Sequence, residues 1–298
     1  MIWNVKQNAL LNETISKMSE GDTLILPEGV FFEKIKITKS NITIIGSGKN
    51  TIITNKDYYN KIHSDNKEYL TVRTYTMLVK GNNVTIKNLT IRNESVPNSI
   101  YGQAVALEVL GDNFICQNVS LLGAQDTLLA GPLPYDLTIR YKDLLPKDEL
   151  ETTLSHQLYE NCYIEGDVDY IFGCGIAYFS NCHLHSIGKG YISAPSHPQE
   201  YKYGFVFKDC LIDSENTKNN SVYFARPWRD YGTATFINCK VIGDFINKEI
   251  FHNWNKDREK TTRLSIYNSL DTKSMVKFAK ELTKDEADKI TRKEVLGF

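Results

Sequence analysis

No apolar stretch in this 298-residue chain approaches the ~20 residues a membrane-spanning helix needs, which excludes that class of protein. Neither sign of charge is in excess. The 35 Lys+Arg against 36 Asp+Glu leave a formal net charge of −1, with no broad basic surface for nucleic acid. The first residues, MIWNVKQNALLNETISKM, lack a basic stretch followed by a long apolar one. No signal peptide is read there, and a cytoplasmic protein is expected unless a leader has been trimmed. Cys-x-x-C is missing, and so are histidines paired three to five residues apart, so the six cysteines spell no zinc pattern. In a reducing compartment they are expected as thiols that pack as small buried apolar groups. Helical periodicity is also scarce between the strand-like runs, which argues against alternating strands and helices.

What is present is a repeat. One element recurs six times: apolar, any residue, Asn or Asp, apolar, any residue, apolar. It reads Ile86-Lys-Asn88-Leu89-Thr-Ile91, Cys116-Gln-Asn118-Val119-Ser-Leu121 and Tyr159-Glu-Asn161-Cys162-Tyr-Ile164. The other three are Phe179-Ser-Asn181-Cys182-His-Leu184, Phe207-Lys-Asp209-Cys210-Leu-Ile212 and Phe236-Ile-Asn238-Cys239-Lys-Val241. The anchors are 30, 43, 20, 28 and 29 residues apart. Alternation on both sides of each anchor is the strand period, and the slip at the anchor is a bend that Asn and Asp tolerate. Units this small cannot bury their own apolar face and must stack, so a parallel β-helix is predicted. Four cysteines (Cys162, Cys182, Cys210, Cys239) share the inward position after the anchor and should form a column. The 43-residue spacing contains 131–155, read as a long loop leaving one coil and, because it starts directly after QDTLL (125–129), expected to wall one end of a cleft beside that motif. Short helices are expected to cap the ends of a single 1–298 domain, at 6–19 and at about 273–291.

Eight residues beyond Asn118 stands Asp126, and eight beyond Asn161 stands Asp169; the other four anchors carry no acid at that offset. In-register stacking of those two coils would bring the carboxylates to adjacent strands, roughly 5 Å apart along the stack. Two such groups cannot both ionise freely, so one is expected as an acid and the other as a base or nucleophile. Taken singly, each would pass for an ordinary turn aspartate.

The surrounding segments are GQAVAL (102–107), GAQDTLL (123–129), EGDVDYIFG (165–173) and YFARPW (223–228). With these in this order, the chain resembles the pectin methylesterases, bacterial type, and the similarity extends over PEGVFFEKI (27–35), APSHPQEYKYGFVF (194–207) and FHNWNK (251–256). The resemblance implies an all-β fold, a single-stranded right-handed parallel β-helix, and hydrolysis of methyl esters of polygalacturonate or its oligomers with release of methanol. It implies Asp169 as nucleophile, Asp126 as general acid and then base, and Gln125 and Gln103 as donors to the oxyanion. Arg226 would pair with Asp169 and hold it ionised, and Trp228 would line a sugar subsite. Trp254 and Tyr170 are further candidates for substrate contact. No cofactor or metal is implied, and the expected partner is the saccharide alone, met by a monomer without nucleic acid or membrane. Four positions depart from the family pattern: Tyr170 for Phe, Ala225 for Gly, Phe31 for Tyr and Phe251 for Trp. The last two bear on substrate preference if they face the sugar.

Two rival classes remain at this point. Another β-helix polysaccharide enzyme, a lyase or glycosidase, would want a calcium cluster with a proton-abstracting base, or carboxyls about 6.5–9.5 Å apart. A non-catalytic carbohydrate-binding β-helix would show the repeat without acid, nucleophile, amide donors and arginine together. Gly46-Ser-Gly48-Lys49-Asn50 fails the phosphate-loop template and reads as a turn. His183 and His185 alternate on one strand and read as solvated or packed histidines rather than a metal site.

Overall fold

The computed structural model describes residues 1–150, 153–215 and 218–298. Among the described residues the chain winds into a parallel β-helix of three sheets, with 11, 8 and 7 strands, and each strand pairs with its counterpart one coil away. The first sheet carries the strands that precede the anchors, such as His156–Glu160, and the second those that follow them, such as Tyr163–Gly166. The third, seven-stranded sheet runs through Met77–Val79, Leu107–Val109, Leu128–Ala130, Ile171–Gly173 and Gly190–Pro195.

Every predicted anchor is a left-handed corner. Asn88, Asn118, Asn161, Asn181, Asp209 and Asn238 all have φ between 51° and 55°, apart from Asp209 at 56°. A left-handed backbone costs most residues about 1–2 kcal/mol, which Asn and Asp offset by local hydrogen bonding. Neighbouring corners also bond to one another: Asn118 Nδ2 donates to Asn88 Oδ1 at 3.2 Å, and Asn268 Nδ2 to Asn238 Oδ1 at 3.0 Å. Just inside, the cysteine column forms as expected, with Cys116 joining it. Sγ of Cys162 faces the Cys116 carbonyl, and those of Cys182, Cys210 and Cys239 face carbonyls of the preceding coils. All six cysteines are buried and unbridged. Beside them Tyr159, Phe179, Phe207 and Phe236 stack with ring centroids 4.4 to 4.7 Å apart. These columns belong to one apolar core that runs from Leu11 to Ile266.

The front cap is shorter than its prediction: Leu11–Lys17 is the helix, and its Leu11 and Ile15, with Met18, close the first coil. The rear cap differs in kind. The segment predicted as one helix over 273–291 begins with turns, in which Met275, Val276, Phe278 and Ala279 pack on the last coil. Helix starts only where Thr283 and Glu286 form a reciprocal cap, giving Lys284–Lys289 and then Arg292–Leu296. The last helix lies along the flank, where Val295 and Leu296 cover Leu158, Tyr178 and Val206 on the outer face of the largest sheet. Among the described residues no helix is long and apolar enough to cross a membrane.

Candidate active site

The outward face of the seven-stranded sheet makes a floor. Leu129, Phe172 and Ala194 occupy successive coils in register, and a cleft of about 300 Å³ opens above them. Turns entering this sheet carry Gln103, Asp126 and Asp169. Leu128 pairs with Ile171, so Asp126 and Asp169, each two residues earlier, are stacked neighbours, as their shared offset predicted. The turns are tight. Asp126 N–H donates to the Val168 carbonyl at 3.1 Å, and both aspartates have positive φ, 64° and 51°. Three residues before Asp169, a Cβ on Gly166 would lie 2.2 Å from that of Tyr170 and 2.6 Å from the Ala124 carbonyl oxygen. Only glycine fits there. Both aspartates share the left-handed backbone of the corner residues, which Asp tolerates through local hydrogen bonding.

Arg226 follows the strand Val222–Ala225 and reaches across the floor to Asp169. Its Nε and terminal nitrogen meet the two carboxylate oxygens at 2.8 and 2.6 Å, a planar fork on a planar anion. The guanidinium is fixed from both sides, 3.8 Å from the Tyr191 ring centroid and 4.1 Å from that of Trp254. Ala225 in place of glycine does not disturb this, since it is buried in regular pairing with Ser193. Gln103 and Gln125 form a parallel bridge, and both line the cleft beside the carboxylates.

Both aspartates are 8% exposed, and burial pushes both carboxyls up. For Asp126 the charge of Asp169 adds to burial and drives it well above the usual range. For Asp169 burial also prevails, but the two bonds from Arg226 oppose it. Arg226 thus pairs with Asp169 as expected but limits the rise of its carboxyl rather than bringing it below an ordinary aspartate. The asymmetry between the pair survives, since Asp126 is raised by burial and by the charge of Asp169, whereas Asp169 has the two Arg226 bonds opposing its rise.

Trp228 and Trp254 both line the cleft, Trp228 edge-on to Phe172 with centroids 5.7 Å apart. Tyr170 does not. It is fully buried in the core with its hydroxyl 3.4 Å from Ser186, so its placement near substrate is withdrawn. The left-handed turn at Asp169 breaks the alternation, and both Tyr170 and Ile171 point inward. Phe31 and Phe251 are core residues too, which removes any direct bearing on the sugar.

Of the two cleft walls, one was read from the sequence, the 131–155 loop, and the other was not. Residues 56–76 supply Tyr59, Thr71 and Val72. The 131–155 loop, whose residues 151 and 152 lie outside the described ones, holds the helix Tyr135–Arg140 and supplies Leu133, Leu137, Arg140 and Tyr141. Arg229 fastens it by two bonds to Asp136, at 3.0 and 2.7 Å. The length of that excursion and its start directly after QDTLL marked it in advance, whereas residues 56–76 carried no such signal.

A family model described as Pectinesterase matches residues 5–132 and 140–277. Among curated proteins the chain is 28% identical to "Pectinesterase QRT1" of Arabidopsis thaliana over 277 residues, 88% of this chain and 66% of that one. It is 32% identical to a pectinesterase of Ralstonia solanacearum over 176 residues, 55% of this chain and 40% of the other. It thus spans less than two thirds of either relative. Among solved structures it superposes on a pectin methylesterase in complex with a hexasaccharide with a TM-score of 0.79 at 24% identity, covering 99% of this chain and 96% of that one. The Aspergillus niger pectin methylesterase in deglycosylated form gives 0.81 at 21%, with 99% and 93% covered.

Proposed function

The chain belongs to the pectinesterase family, carboxylic ester hydrolases that act on the methyl esters of pectin, and we propose that here Asp169 and Asp126 carry that reaction. Asp169, ionised and held by Arg226, attacks the C6 carbonyl of a methylated galacturonate. The oxyanion that forms accepts hydrogen bonds from the amides of Gln125 and Gln103, neutral donors that leave the carboxylate pair undisturbed. Collapse of the intermediate breaks the bond to methoxide, which takes the Asp126 proton and departs as methanol. An acyl-Asp169 anhydride remains. Asp126, now a carboxylate, removes a proton from water, and the hydroxide attacks the acyl carbon. The free galacturonate leaves, Asp169 is an anion again and Asp126 is protonated again. Trp228 presents an apolar face to a sugar ring. Trp254 acts mainly through Arg226, on which it stacks.

One observation carries this reading: a bidentate Arg226–Asp169 pair stacked against a second, buried aspartate in one cleft. A monomer as the working unit is part of the proposal. The column of buried thiols suits a reducing compartment, and a cytoplasmic site of action is part of the proposal. Methanol release from methylated galacturonans tests it. Asp169→Ala and Asp126→Ala should each lose several orders of magnitude in kcat while keeping the wild-type circular dichroism. Near-normal turnover in either would refute the assigned roles.

A further inference from the structure

A second convergent cluster lies on the eight-stranded sheet, away from the cleft lining. His183 and His185 project from one face of the strand His183–Ser186, and Asp213 ends the neighbouring strand Leu211–Asp213, directly opposite His185. Both imidazoles meet one carboxylate oxygen. His185 Nδ1 is 2.7 Å from Asp213 Oδ1, and His183 Nε2 is 2.8 Å from the same atom. The His185 contact has the alignment of a hydrogen bond. The His183 contact does not, and that buried nitrogen has no hydrogen-bond partner among the described residues. One ligand atom from each residue falls within 4.8 Å of the others.

We propose that His183, His185 and Asp213 bind a divalent transition-metal cation, zinc being the best match. Two imidazoles and one carboxylate form a three-ligand set of the kind zinc takes with water in the fourth position. Tetrahedral bonds of about 2.0–2.2 Å set donor atoms roughly 3.3–3.6 Å apart, so the two His–Asp contacts, now 2.7 and 2.8 Å, must lengthen slightly, a change that side-chain rotation supplies. Ligands on adjacent paired strands are already ordered, so little conformational entropy opposes binding. The rings are further restrained by Tyr163, whose centroid is 5.0 Å from that of His183 and 5.9 Å from that of His185. Tyr163 also donates to Glu165 at 3.0 Å, and Glu165 sits in register with His185, adding negative charge nearby. The side chains of His183 and Asp213 remain 34% and 27% exposed, which gives an ion a route in. Local sequence hides the site, because its third ligand is 28 residues from His185 and is brought beside it only by coil stacking.

The site would clasp two coils and take no part in the ester chemistry. Calorimetric titration of EDTA-stripped protein with zinc chloride tests it. Wild type should bind about one equivalent and melt at a higher temperature when loaded. His185→Ala and Asp213→Asn should weaken binding by at least about 10–100-fold, the range seen when even indirect support of a metal is lost. Both variants should retain methanol release, as should wild type in EDTA. If His185→Ala does not fold, His183→Gln, altering a partly exposed side chain, serves in its place. Absence of zinc binding by wild type, or binding that is unchanged in these variants, overturns the proposal. Neither result touches the roles of Asp169 and Asp126.

Discussion

At the scale of single residues, the decisive competition is between burial and Arg226 at Asp169. Burial prevails, so the carboxyl that must be ionised for attack titrates above an ordinary aspartate. Activity should therefore fall on the acid side at a pH above the ~3.9 of a free aspartate, and on the alkaline side as Asp126 loses its proton. Arg226→Ala removes the group that opposes burial, so the acid limb of kcat/KM should move to higher pH as kcat drops. A limb that stays in place would mean that Arg226 only packs. Gln125→Ala, which deletes one donor to the oxyanion, should cost about 10²–10³ in kcat. Stability should move the other way at Asp126. Its folded carboxyl is raised, so the folded chain loses stability as pH climbs from the unfolded value towards the folded one. Asp126→Asn should accordingly raise the melting temperature at pH 7. Below about pH 4, where the carboxyl is protonated in both states, that gain should vanish.

At the scale of elements, the corner residues explain both what the sequence disclosed and what it concealed. Asn161 has φ of 53°, so Asn161→Ala should lose about 1–2 kcal/mol in urea unfolding, and Asn161→Gly clearly less. Each corner resets the alternation of a short strand, and that reset is visible as a residue pattern. The six anchors, the cysteine column and the stacking of Asp126 on Asp169 were legible for this reason. Tyr170 was misplaced because Asp169 makes a second left-handed turn of its own, which no repeat marks. The rear cap was misjudged on similar grounds. Met275, Val276, Phe278 and Ala279 have a helix-like spacing, yet they fill the open end of the core from turns, and the reciprocal cap at Thr283 and Glu286 was the better signal for where helix begins. The 131–155 wall was legible from its length and its start directly after QDTLL, but the side chains it presents, such as Tyr141, and the whole 56–76 wall with Tyr59 were not, since they lie outside the coil period and face the site only through tertiary folding.

At the scale of the whole molecule, the walls govern which substrates can reach the aspartates. The cleft of about 300 Å³ is at the lower end for small-ligand sites. A second groove of about 700 Å³, lined by Pro134, Tyr135, Tyr201 and Arg258, lies beside it. Leu133 and Arg229 border both, and Asp136, which lines the second, is bonded to Arg229. That ion pair is a clasp across the route a long polymer would take from one groove to the other. The near-zero net charge adds no electrostatic attraction towards a polyanionic wall. Short methylated oligogalacturonates should therefore be preferred, with kcat/KM per ester group higher on di- to tetrasaccharides than on polymeric pectin. The clasp is half-exposed and contributes little stability, so Asp136→Ala should fold normally. It should free the helix Tyr135–Arg140, open one groove to the other and raise activity on polymer relative to oligomer, chiefly through KM. A preference for polymer in the wild type, or an unchanged ratio in Asp136→Ala, would show that this segment does not select for length.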